Sequence, residues 1–259
     1  MKFPLRLSMD LLRSKASRVF VGGKDRSAIS HLSPAAFSAT NQKEIDAESD
    51  PNAAIMEIPA SIVSQTAAPV LWVGGQEPLQ HPVIGRIAAA LNKAGRNVFL
   101  HTNGIRLRQR IHEFRPDERL FLTVELAGRE EVHDEAVVQQ GAFRRVIEAI
   151  RAAKLSGFHV CTHVTVRAKT EVCETGELFE FLDHHDVDGY IVSSGGLRAT
   201  AAAWPEELQE KLEEIRTFVR CSRWGYFSSL LESSYAADRE KQAALTLPAN
   251  DSSAYEETA

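Results

Sequence analysis

The stretch Phe158 to Val166 (FHVCTHVTV) alternates strictly between two side-chain classes. In a strand, Phe158, Val160, Thr162, Val164 and Val166 share one face, and His159, Cys161, His163 and Thr165 share the other. The apolar face belongs under helices, which aims His-x-Cys-x-His into the interior of a sheet. Imidazoles two residues apart on one strand can share a metal ion. His101 or Glu125 from neighbouring strands could complete the set, so His101, His159, Cys161 and His163 form a candidate metal site. The competing expectation is that these groups line a wet lumen and satisfy one another.

A second chemical stretch is Ala68 to Pro82, APVLWVGGQEPLQHP. Val70 to Val73 reads as a buried parallel strand, and Gly74-Gly75 at its end allow a sharp turn and close backbone approach to a ligand. Gln76 and Glu77 follow, and Glu77 places a carboxylate on the loop. Pro82 then opens a helix, VIGRIAAALNKAG, that Gly95 closes. His133-Asp134, on a polar loop, reads as a cap for the following segment. His184-His185 complement the negative end of a helix. Cys173 and Cys221, on amphipathic helices, are expected to be buried and inert. No GxSxG, Walker A or complete GxGxxG occurs, so hydrolase, NTPase and dinucleotide readings lack their minimum parts.

The elements that must position these groups alternate along the chain. Strands are expected at Ser27 to Ser33, Val70 to Val73, Asn97 to Thr102, Arg119 to Leu126, Phe158 to Val166 and Val187 to Ser193, the first being the weakest. Helices follow Pro82, Gly104 (IRLRQRIHEF), Gly141, Glu171 and Trp204-Pro205, with glycine turns between. This predicts an α/β fold with parallel strands, a partial (β/α)6 TIM-like barrel. Residues 1–66 are expected to hold an N-terminal helix, a degenerate first strand and a mobile loop over Pro34 to Pro51, with a short helix over Pro59 to Thr66. Residues 67–235 form the barrel, and 236–259 read as a disordered tail.

Composition narrows the function. The net charge of −5 offers no electrostatic footprint for nucleic acid. No apolar run approaches the ~20 residues of a spanning helix, and three scattered cysteines suit a reduced, cytoplasmic compartment. Residues 4–20 place Leu5, Met9, Leu12 and Val19 near one helical face with basic residues elsewhere. That helix packs on the domain or touches a membrane surface peripherally.

These stretches together resemble a known family. Ala68 to Pro82, the Thr102-Asn103-Gly104 turn, the Leu126-Ala127-Gly128 turn with His133-Asp134 and Gly141, and Gly157 to Val166 are similar in order and spacing to radical S-adenosylmethionine (SAM) enzymes. The hopanoid-pathway adenosylhopane synthase type is the most similar. The resemblance implies a radical-SAM barrel in which SAM contacts Gly74, Gly75, Gln76 and Glu77. Asn103, Glu125 and His163 complete the pocket. It also implies a CxxxCxxC motif holding a [4Fe–4S] cluster. The matching stretch, Leu32 to Asp46, carries Ser38, Gln42 and Ile45 where the cysteines belong, and no cysteine precedes Cys161. Gln76 replaces a glycine of the family's GGEP, and Ala127 an acidic residue of its SLDG-like turn.

Hydroxyl, amide and alkyl groups cannot replace thiolates on iron. The expectation is therefore a radical-SAM-fold pseudoenzyme without the cluster that retains a small-molecule, SAM-type pocket. It would serve as a partner or regulatory subunit of a catalytic radical SAM homologue, in isoprenoid-lipid or other small-molecule biosynthesis. Two alternatives remain: an enzyme using the same pocket with SAM or a lumen metal for non-radical chemistry, and an active radical enzyme whose cysteines lie in upstream coding sequence.

Overall fold

The computed structural model describes residues 3–21, 27–34, 67–194 and 206–246. Its centre is a parallel sheet whose six strands lie in chain order: β1 (Ile29–Leu32), β2 (Val70–Val73), β3 (Asn97–Thr102), β4 (Leu120–Glu125), β5 (His159–Thr165) and β6 (Gly189–Ser193). The sheet curls into a half-barrel. Both faces are covered, so the strands read as short apolar, β-branched and aromatic runs.

The outer face carries Leu71, Val98, Leu122, Val160 and Val192 against the crossover helices. Those are α2 (Ile84–Lys93), α3 (Leu107–Arg110), α4 (Glu130–Val137), α5 (Ala142–Leu155), α6 (Val172–Asp183) and α7 (Glu206–Arg220). In α2, Ile84, Ile87, Ala88 and Leu91 recur at helical spacing and are all buried. Between α4 and α5, Asp134 accepts hydrogen bonds from the backbone amides of Gly141 and Phe143, the latter at 2.8 Å. It thereby caps α5, as the sequence indicates.

The inner face is filled by the last helix, α8 (Arg223–Thr246). Trp224, Phe227, Leu231 and Tyr235 join Val70, Trp72, Phe99, Phe121, Cys161 and Ile191 in one apolar cluster. Phe99 stacks on Phe121 at 4.4 Å and on Phe227 at 4.6 Å between ring centroids. The same helix covers the sheet's edge: Ser228 Oγ accepts from Val192 N (3.1 Å) and Glu232 from Ser194 N (2.9 Å). Unpaired edge amides are thus satisfied by side chains one helical turn apart. On the opposite edge, His31 Nε2 meets Ser234 Oγ at 2.7 Å. One helix bridges the gap between the first and last strands.

α1 (Leu5–Val21) lies under the amino-terminal ends of the strands. Leu7 and Leu11 enter the inner cluster, while Asp10 accepts from Asn97 Nδ2 (3.0 Å) and pairs with Arg119 (2.8 Å).

Several expectations need correction. The face of α1 expected to pack, Leu5, Met9 and Leu12, is exposed, because Leu7 and Leu11 supply the buried stripe; the Val19 side chain lies outside the described residues. The segment IRLRQRIHEF is helical only over Leu107–Arg110 and tightens to a 3₁₀ turn at Ile111–Glu113. There Arg110 draws the chain onto the carbonyls of Leu79, His81 and Pro82. His133-Asp134 sits on helix α4 and not on a loop. Cys173 and Cys221 are exposed, one on the outer surface of α6 and the other just past α7. Instead of ending near 236, α8 continues to Thr246 through good helix formers (Ala, Glu, Lys, Gln). The loop over 35–51, the helix over 59–66, Gly195-Gly196, Trp204-Pro205 and the tail 247–259 lie outside the described residues.

The packing of α8 makes a sharp stability prediction. A Cβ added at Gly189 would lie 2.2 Å from the Trp224 ring, which is itself fully buried. Gly189→Ala is expected to cost roughly 2–3 kcal/mol in denaturant unfolding by overpacking. Unchanged stability would mean that Trp224 is free to move.

Candidate functional site

The interior-facing positions form layers. Phe99, Phe121, Cys161 and Ile191 lie within the aromatic plug, and the next residues of the same parity, two positions on, are His101, Thr123, His163 and Ser193. With His31 and Trp72 from the first two strands they make a polar ring at the carboxyl ends. The rim above is Gly74, Glu77, Asn103 and Glu125.

Three of these groups form a connected chain. His163 Nδ1 lies 2.8 Å from His101 Nε2, and His163 Nε2 lies 2.8 Å from Ser193 Oγ. Trp72 stacks on His101 at 5.2 Å and meets His163 edge-on at 5.4 Å. Glu125 approaches His101 at 3.9 Å and accepts from Arg167 at 3.0 Å. A proton moved along this chain would pass between the partly exposed His101 and the fully buried Ser193.

Burial holds all three ring histidines towards the neutral form. It lowers His163 well below the usual imidazole range, assisted by His101 and Arg167. It lowers His101 too, against the opposing pull of Glu125 and Glu77. His31 falls to about 4, through burial and then the proximity of His101.

Glu77 organises the rim. Its Oε1 accepts from Leu79 N (2.9 Å) and Thr102 Oγ1 (2.7 Å), and its Oε2 accepts from Asn103 N (2.8 Å). One carboxylate therefore joins the loop after β2 to the loop after β3. Asn103 Oδ1 accepts in turn from Ile105 N (3.0 Å), which closes a tight turn into Gly104. At Gly74 a Cβ would meet His101 at 3.2 Å, so a side chain there would press on the imidazole. Gly75 has φ +89°, a conformation natural to glycine, and Gln76 is exposed.

The structure thus brings Gly74, Gly75, Glu77, Asn103, Glu125 and His163 to one end of the barrel. It separates the candidate metal ligands. His159 lies at the opposite end of β5, stacked on Phe121 and 3.8 Å from Asp188, and Cys161 is sealed in the apolar cluster. Residues four apart on a strand stand ~13 Å apart, so His159 cannot join His163, and only His101 and His163 meet. Among the described residues, no group of three or more His, Cys, Asp or Glu is arranged to hold a metal ion. Ser38, Gln42 and Ile45 lie outside the described residues. Sequence reasoning missed Ser193, His31 and Trp72 as ring members. Their parity with Ile191, Ile29 and Val70 was the available signal.

Comparisons with known proteins agree with this architecture. The radical SAM superfamily model matches residues 34–182. An AdoMet-dependent heme synthase of Methanosarcina barkeri (strain Fusaro / DSM 804) is 33% identical over 121 residues, 45% of this chain and 34% of that protein. The chain thus spans about a third of the length of this curated relative. SuiB of Streptococcus suis bound to S-adenosylmethionine superposes with a TM-score of 0.52 at 11% identity, covering 81% of this chain and 52% of that one. SuiB bound to the precursor peptide SuiA gives 0.52 at 11% identity, covering 81% and 50%. At such identities the likeness shows the fold alone.

The neutral histidines set a pH dependence. Their folded pKa values lie below the unfolded value near 6.5, so the unfolded chain binds more protons in the intervening window. Stability is expected to be full above pH ~6.5 and to fall as pH drops below it, with His31 alone, lowered to about 4, contributing on the order of 3 kcal/mol. Thermal unfolding from pH 7 to pH 4 checks this, and His31→Gln should flatten the curve. A flat wild-type profile would contradict neutral burial.

Proposed function

Because the chain belongs to the radical SAM superfamily, we propose that it is a member that works without the iron–sulfur cluster. In this reading it holds SAM or a related small molecule at the strand carboxyl ends. It acts as a partner or regulatory subunit of a catalytic homologue in isoprenoid-lipid or other small-molecule biosynthesis. The observation that carries the reading is the placement of the thiols. All three cysteines of the chain fall among the described residues. Cys161 is locked in the inner apolar cluster, with its thiol pushed well up by burial, and Cys173 and Cys221 are exposed on outer elements. A cluster needs thiolates converging on one open site, and these three do not fit it.

The SAM side of the site is better matched. Gly75 leaves room for close approach, and the Glu77 carboxylate, already held from three directions, stands ready for an ammonium group.

A second reading is favoured by one arrangement, the Ser193–His163–His101 chain. It suits general acid–base catalysis of a non-radical reaction in the same pocket, with His101 as the group nearest the ligand. His163→Gln would then abolish turnover while leaving ligand binding intact.

Iron and acid-labile sulfide measured after anaerobic reconstitution test the first reading. The expected result is far less than one cluster per chain and no SAM cleavage on reduction. About four irons and four sulfides with reductive cleavage would overturn it. Calorimetric titration with SAM is expected to show binding that Glu77→Gln weakens about tenfold, with retained folding checked by thermal unfolding. Copurification with a cysteine-bearing homologue is the expected partner result, and a strictly solitary protein would count against that role.

A further inference from the structure

α1 has two apolar faces. Leu7 and Leu11 are spent on the barrel, whereas Leu5, Met9 and Leu12 stand 71%, 43% and 65% exposed on the other side. Spacings of four and three put these on one stripe of the helix. Arg6 and Arg13 border it on one edge and Lys15 on the other, all exposed. Arg6 pairs with Glu118, and Arg13 lies 3.9 Å from Asp10, whose carboxylate is engaged by Arg119.

The surroundings continue the pattern. Crossover helices run antiparallel to the strands, so their carboxyl ends surround α1 at the amino-terminal end of the sheet. Leu155, the last residue of α5, is 90% exposed there, and Tyr226 projects from the first turn of α8, where Arg223 bonds Ser8 of α1 at 2.8 Å. Lys93 and Arg220, in the last turns of α2 and α7, and Arg151, in the turn before the end of α5, are exposed towards the same end. The acidic groups there include Asp117 and Asp186 beside the paired Glu118.

We propose that this end of the barrel is a docking face for an anionic lipid bilayer, with α1 lying in the interface plane. An amphipathic stripe edged by cations is the form that partitions between headgroups and acyl chains, and aromatic and basic side chains around it suit the same boundary. Charge selects the occupant: a cationic rim complements anionic headgroups. The geometry also fixes orientation. The polar ring and Glu77 lie at the opposite end of the strands, so the site of the proposed function, on which this point rests, would face the aqueous side.

Co-sedimentation of the full chain with vesicles tests this. Phosphatidylcholine vesicles doped with phosphatidylglycerol should retain the protein, pure phosphatidylcholine should retain it at least about tenfold less, and high salt should release it. Leu5→Glu with Leu12→Glu, both at exposed positions and so compatible with folding, should abolish binding. Val138→Glu, exposed at the other end, should leave it unchanged. No retention by anionic vesicles would overturn the proposal, as would retention indifferent to the double substitution. A wild-type dimer that the same substitution makes monomeric, without vesicle binding, would assign the face to a second copy and also overturn it.

Discussion

Everything in this barrel depends on the aromatic wedge that α8 drives between its two edges. A six-stranded curled sheet leaves a gap between β1 and β6 and a hollow beneath its carboxyl rim. Trp224, Phe227, Leu231 and Tyr235 fill that hollow, each contributing about 2–3 kcal/mol of buried apolar surface. Ser228, Glu232 and Ser234 engage the strands on either side. Because the apolar cluster fills the middle of the barrel, the polar ring forms above it. Because that layer rests on packed rings, its imidazoles are held neutral and fixed in orientation.

Carboxylates then do the work of joining loops. Glu77 accepts from backbone amides after β2 and after β3, and Asp134 from those of Gly141 and Phe143 at the start of α5, and so they replace hydrogen bonds that irregular backbone cannot make with itself. For Glu77 this dual use matters. The group that the proposed SAM reading assigns to an ammonium is also the one that fixes the shape of the rim, so the rim is preorganised by contacts within the chain.

Much of this was legible in the sequence, for reasons that differ by residue. The strict alternation of Phe158 to Val166 fixed which side chains of β5 face inward, because a strand has period two. The glycine turn with Glu77 marked the rim because its residue types suit little else. Other features were hidden. Periodicity says that His159, Cys161 and His163 share a face, but not that the barrel is plugged between them, since the plug arrives from a helix some sixty residues later. In α1 the wrong stripe looked buried, because both faces are apolar and only tertiary contact chooses between them. Ser193 gave no sign beyond its parity with Ile191. It matters only because register brings it opposite Thr165 and within reach of His163.

The contact between His31 and Ser234 spans 203 positions, and that between Ser8 and Arg223 spans 215. During synthesis on the ribosome, the first strand and α1 emerge long before the helix that covers them. Until α8 leaves the exit tunnel, Trp72, Phe99 and Phe121 line an open trough and both sheet edges are unprotected. Closure is therefore a late event of high loop-closure cost. For most of its translation the nascent sheet exposes apolar surface and unpaired edges, the condition that favours aggregation.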